Sequence, residues 1–150
     1  MQGIPYALPL FLAAGALAFL AHYGWRHRTA HPAAPAFVRL VVPVAVWLVA
    51  YGFEILAADV AAKEAWETVI IVDLAWLPLF WLLFAIHYSG QEAWLTRLNL
   101  VFLALPSAAT TLLTLTNPLH GLVWTDITID SSGPFLATVP IRGPWFWVHS

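Results

Sequence analysis

Leu115-Thr116-Asn117-Pro118-Leu119-His120-Gly121-Leu122-Val123-Trp124 is the stretch in which a long apolar segment stops and a polar loop begins. Asn tolerates the left-handed backbone and Pro cannot extend a helix, so Asn117-Pro118 reads as the stop of a helix leaving a bilayer. Trp124 suits the headgroup level, where an amphipathic ring gains on both sides. Four segments with the character of membrane helices precede this stretch, and a loop leading into the start of a fifth follows it. The expected fold is an all-α membrane protein: an antiparallel transmembrane helix bundle with an outward loop forming a small β-hairpin.

Composition agrees. Only 9% of residues are charged and 61% are hydrophobic, and the mean hydropathy is +0.80. That is a membrane composition, not that of a soluble domain. Nine Trp and nine Phe fit a chain with several lipid interfaces. The formal charge of -2 and six Lys and Arg, with no basic stripe, point away from a nucleic-acid partner. The absence of Cys excludes disulfides, thiolate metal sites and Cys nucleophiles. Met1 to Pro5 carries no basic residue and the apolar run after it is long, unlike a cleavable signal peptide.

The first span, Ile4 to Tyr23, carries no formal charge. Its length of about 20 residues, at roughly 1.5 Å each, crosses a hydrocarbon core of about 30 Å. Ala14, Ala18 and Ala21 offer a small face for close helix approach, with lipid contact as the alternative. The loop from Gly24 to Ala36 is positive and broken by Pro32 and Pro35. His27 and His31 are spaced like metal ligands, but Pro32 argues against a shared helix, and loop charge is the better reading.

The second span, about Phe37 to Ala58, places Trp47, Tyr51, Glu54 and Ala58 on one helical face. A carboxylate at the bilayer centre costs roughly 2.5 to 3.5 kcal/mol on insertion scales, so Glu54, near the end of its span, should face protein or water. Asp59, Lys63, Glu64 and Glu67 read as a short, mostly acidic connection. The third span, about Trp66 to Tyr88, carries Asp73, Phe80 and His87 on one face, with Trp76 nearby and a kink expected at Pro78. The fourth, about Leu98 to Thr116, has Pro106 as a kink and Ser107, Thr111 and Thr114 on one face, expected to bond mainly their own backbone.

In the polar stretch that follows, Val123, Thr125, Ile127 and Ile129 alternate with Trp124, Asp126 and Thr128 as in a strand. Leu136 to Ile141 is the expected partner across an Asp130 to Pro134 turn. From Trp145 another apolar segment begins and is cut off, read as truncation. If the first and third loops are cytoplasmic, Arg26, Arg28, Arg39 and Arg97 lie inside and most acids outside. The positive-inside rule then places the N-terminus outside, in a multi-pass plasma-membrane protein.

The run from Trp47 to Trp124 resembles the N-terminal seven-helix membrane sensor domain of bacterial and archaeal histidine kinases. The resemblance rests on Trp47, Tyr51 and Glu54; on Leu77-Pro78, Trp81-Leu82-Leu83-Phe84-Ala85 and Tyr88-Ser89-Gly90; on Pro106; and on Thr116-Asn117, His120, Leu122 and Trp124. Phe146-Trp147-Val148-His149 looks like the entry to that family's fifth helix, while the first helix matches only in character. Asp73 stands where the family more often has a small residue, and Gly121 where a second His is common. The resemblance implies a sensory input domain that passes an extracytoplasmic or membrane-borne signal to a cytoplasmic kinase. Its partners would be the lipid bilayer, an unknown small-molecule or membrane-borne signal, and a second copy through the full-length dimeric kinase. Catalysis would lie in an output module that these 150 residues do not contain, and no cofactor or metal is expected.

Glu54, Asp73, Asn117, His120 and Trp124 are the candidates to line an outward pocket, with Trp47, Tyr51 and Trp76 as its wall. A helix-helix hydrogen bond is the alternative for each acid. A secondary-transporter fragment is the rival reading, since Glu54 and Asp73 could carry ions and Pro43, Pro78 and Pro106 could break helices. A retinal pump is weaker, because the only Lys, Lys63, sits at a helix boundary.

Overall fold

A computed structural model describes residues 3–30, 33–130, 132–133 and 135–149. The elements in order are α1 (Ile4–Arg26), α2 (Ala34–Leu56), α3 (Val60–Tyr88), a 3-10 turn at Glu92–Trp94, α4 (Arg97–Leu115), α5 (Asn117–His120), β1 (Trp124–Asp130), β2 (Ala137–Arg142) and α6 (Pro144–His149). Helices α1 to α4 are each long and apolar enough to cross a membrane. His31, Pro32, Ser131 and Pro134 lie outside the described residues, and with them the His27–His31 pairing and part of the hairpin turn.

Two helix starts differ from expectation. Pro35 falls in the first turn of α2, which therefore begins at Ala34 instead of about Phe37. A first-turn N–H has no intrahelical acceptor, so proline starts this helix where it was expected to break one. α3 begins at Val60, six residues before Trp66, because Asp59 caps it: Asp59 Oδ1 accepts the Ala62 N–H at 2.8 Å. The expected acidic connection is thus the first two turns of a 29-residue helix. At about 1.5 Å per residue, that length exceeds an apolar core of about 30 Å, and the charged turns are the overhang.

α1 meets α2 through small residues. Ala7, Ala14 and Ala21, seven apart, are buried, whereas Ala18 is exposed, so the close-packed face is shifted from the expected one. Gly52 on α2 receives Phe11: a Cβ there would stand 2.7 Å from the ring. Phe53 then links the rings of Phe11 and Trp66 at 5.2 and 5.0 Å, joining α1, α2 and α3 at one end of the bundle.

The hydroxyl face of α4 holds its neighbours more than its own backbone. Pro78 has no N–H, so the Leu74 carbonyl one turn earlier in α3 is without its usual donor. Ser107 on α4 donates to the next carbonyl, Ala75 O, at 2.6 Å, a bond between helices beside the proline. Thr111 donates locally to Ser107 O at 2.9 Å and accepts the Trp76 indole N–H at 3.0 Å. Thr110, which periodicity had not singled out, accepts the Trp145 indole N–H at 2.9 Å, and Thr114 Oγ1 is buried with no partner among the described residues.

β1 and β2 form an antiparallel hairpin that pairs Ile127 with Pro140 and Ile129 with Thr138, with an irregularity between Trp124 and Asp126. The extra residue is Thr125, and it resets the alternation. Trp124 is buried, Thr125 and Asp126 are exposed, and Ile127 and Ile129 turn inward. Trp124 therefore shares the inner face with the isoleucines that strict alternation had placed opposite it. At the turn, hydrogen bonds from the Ser132 hydroxyl and amide hold the exposed Asp130 carboxyl below its ordinary value. The Phe135 ring lies 5.2 Å from that of Tyr6, so the hairpin sits at the end of the bundle where α1 begins.

Candidate functional site

At the hairpin end, the last turn of α2 and the first turns of α3 bring opposite charges together. Lys63 Nζ donates to Glu54 O at 2.7 Å and to Glu54 Oε1 at 3.3 Å, with side chains 0% and 4% exposed. Thr138 of β2 donates its hydroxyl to the same Oε1. Four residues further along α3, Glu67 accepts from Arg142 Nη1 at 3.1 Å. Two carboxylates on the bundle thus grip two successive regions of β2. Glu54 is closed off by Lys63 and Thr138, an arrangement unlike an open ion path.

Asn117 fastens the other strand. Its Oδ1 accepts from Val123 N at 2.9 Å and Trp124 N at 3.4 Å, while Nδ2 donates to Trp124 O at 2.8 Å. One buried amide side chain thereby stands in for a pairing strand at the start of β1. The long helix α4 ends at Leu115, just before Asn117-Pro118 as expected, but Asn117 does not take the left-handed conformation. Asn117 opens the single turn α5, and Gly121 takes the left-handed conformation at φ 61° that ends it. That conformation suits Gly at 121 far better than a second His. His120 Nδ1 accepts from Leu122 N at 3.0 Å, and its Nε2 faces Thr116 Oγ1 at 3.0 Å, whose own hydroxyl donates to Leu112 O at 2.7 Å. The tautomer protonated at Nε2 satisfies the whole chain and caps α4.

Asn117→Asp preserves the acceptor and turns an oxygen toward the Trp124 carbonyl. A loss of at least about 2 kcal/mol in unfolding free energy is expected, since a buried carbonyl loses its donor beside a new charge. Near-parental stability in denaturant titration would show that the Nδ2 bond carries no weight.

The eight candidates from sequence divide among distinct places. Trp47 and Tyr51 line a cavity of about 230 Å³ beneath the base of the hairpin, together with Glu67, Arg142, Trp145 and Phe146. Asn117, His120 and Trp124 border a separate polar groove of about 420 Å³ that also includes Glu64 and Asp126. Glu54 belongs to the sealed ion pair, and Trp76 to the α3–α4 contact. Asp73 Oδ2 is buried without a partner among the described residues, and Asp73 borders neither the cavity nor the groove. Sequence reasoning passed over Lys63, Glu67, Thr138 and Arg142 as site residues. A usable signal was present: Lys63 and Glu67 are four apart in a run of strong helix formers behind a capping Asp.

Compared with known protein families, residues 9–150 match the family described as the N-terminal 7TM region of histidine kinase. The curated proteins and solved structures compared include no match.

Proposed function

The chain belongs to the family of N-terminal 7TM regions of histidine kinases, and from that premise we propose that it is a sensory input region whose hairpin reports a signal arriving at the outer membrane face. The double grip of Glu54 on Thr138 and of Glu67 on Arg142 is the observation that supports this reading. A signal that enters the cavity bordered by Glu67 and Arg142 favours one seating of the hairpin on α2 and α3 over another. The free-energy difference between the two seatings is what passes down the helices to a kinase dimer. Asn117 and Trp124 act in this scheme as the fixed anchor of β1, and Glu54 with Lys63 as the base against which β2 moves.

Thr138→Val removes one grip, and Glu67→Gln reduces the other to a neutral hydrogen bond. In the kinase that carries this region, both are expected to shift basal autophosphorylation severalfold at normal membrane abundance. Unchanged basal and stimulated output in both variants would end the proposal.

The outward orientation rests on the arginines. Arg26, Arg28 and Arg97 lie in or beside the helix ends opposite the hairpin, and Arg39 near the start of α2; such positive charge is retained in the cytoplasm. The chain has no Cys, so single introduced thiols report topology directly. A membrane-impermeant maleimide is expected to label Asp126→Cys in intact cells and to leave Gln91→Cys unlabelled until the cells are opened. The reverse pattern would invert the orientation.

A further inference from the structure

The cavity beneath the hairpin has an aromatic body and one charged end. Trp47, Tyr51, Trp145 and Phe146 supply the rings, and Arg142 and Glu67 the charge. The indole N–H of Trp145 is already committed to Thr110. Arg142 is different, because a guanidinium has five N–H donors in a planar fork. Among the described residues, only its Nη1 has a partner, the Glu67 carboxylate at 3.1 Å. The group lies 4.5 Å over the Phe146 ring, which orients its plane. The Arg142 side chain is 31% exposed against 11% for Glu67, so the cation is the accessible member of the pair.

We propose that this cavity binds a small amphipathic monocarboxylate, with the carboxylate on the open edge of Arg142 and the apolar body between the aromatic rings. A guanidinium with spare donors matches a carboxylate in geometry and charge, and aromatic walls take up a ring or short chain. A cationic ligand would have to use Glu67, which is more buried and already engaged. At about 30 Å³ for an atom occupying water's share of liquid volume, the cavity holds on the order of eight non-hydrogen atoms. Benzoate and hexanoate are of that size. The inference rests on reading the cavity as the sensing pocket.

The test is a titration of the chain in lipid nanodiscs, following tryptophan fluorescence, because Trp47 and Trp145 stand in the walls. Benzoate and hexanoate are compared with benzamide, hexanamide, benzylammonium and hexylammonium. Saturable quenching by the acids is expected, with the amides about tenfold weaker, the factor for losing one charge-assisted hydrogen bond. Arg142→Gln should erase the preference for acids over amides, and Arg142→Lys should retain part of it. Tyr51→Leu, at a half-exposed position independent of the ion pair, should weaken acids and amides alike. Amides or ammonium ions binding as tightly as the acids would overturn the proposal. So would acid binding indifferent to Arg142, or no saturable response to either acid at millimolar concentration. Acid binding with no effect on kinase output would leave this site standing and remove the sensory reading; output altered by Thr138→Val with no acid bound would do the opposite.

Discussion

Replacing Lys63 by Met is expected to destabilise the bundle by about 3 to 5 kcal/mol, the range for removing one partner of a buried ion pair. Lys63 Nζ serves both the Glu54 carboxylate and the Glu54 backbone carbonyl, and neither side chain of the pair reaches solvent to any useful extent. Met fills much of the lysine's volume, so the loss is electrostatic in the main. The remaining carboxylate keeps only the Thr138 hydroxyl. Glu54→Gln alone also destabilises, by leaving the ammonium buried beside a neutral amide. The double variant Glu54→Gln/Lys63→Met removes both charges, and much of the lost stability should return, because a neutral pair has no desolvated charge to compensate. Chemical unfolding in detergent, followed by tryptophan fluorescence, measures all three. Single variants within about 1 kcal/mol of the parent, a range typical of exposed pairs, would show that the ion pair is not buried in the membrane-bound protein.

Gly143→Ala carries the other large effect. Gly143 has no positive φ, so backbone freedom is not the reason for glycine here. The reason is space: a Cβ at 143 would fall on the Leu122 carbonyl and within 2.6 Å of Gly121 O. These neighbours are backbone, fixed by Gly143 N donating to Val123 O at 2.8 Å and Trp145 N donating to Leu122 O at 2.9 Å. A methyl group must therefore push two chain segments apart and break the hydrogen bonds that close the base of the hairpin. A loss of about 3 kcal/mol or more is expected, combining overpacking with two lost backbone bonds. Hydrogen exchange should localise the loss, with the amides of Val123 to Ile129 and Ala137 to Arg142 losing protection while the centres of α1 and α2 keep theirs. Full protection of the hairpin in Gly143→Ala would mean that the strands do not meet the 121–123 segment as closely as described.

The helical spans were legible because the signal for them is local. A run of about 20 apolar residues must satisfy its backbone internally once it enters lipid, and a helix does so without reference to the rest of the chain. The hairpin was legible for a similar reason, from alternation on either side of a polar turn. The bulge at Thr125 was not, since one inserted residue leaves composition untouched while exchanging which side chains face inward. The site was legible in part. Trp47 and Tyr51, four apart on α2, line one cavity as periodicity suggests, whereas Glu54 on the same face is taken up by Lys63 and Thr138. Asn117 stood out as a chain stop, yet its task is to bond β1, a partner six and seven residues ahead that only folding brings within 2.9 Å.

By itself, then, the sequence determined a membrane bundle, the approximate spans, the hairpin and the resemblance to a kinase sensor region. Each of these follows from residue character over a window of neighbours. Tertiary structure decided which charges are partnered: Lys63 with Glu54, Glu67 with Arg142, and Thr138 with Glu54 across 84 residues of chain. Asp59 starts α3 early enough to carry Lys63 and Glu67 beside the end of α2 and under β2. A charge read in one dimension is a solvated loop charge; the same charge on a helical overhang covered by a hairpin is desolvated and must find its opposite.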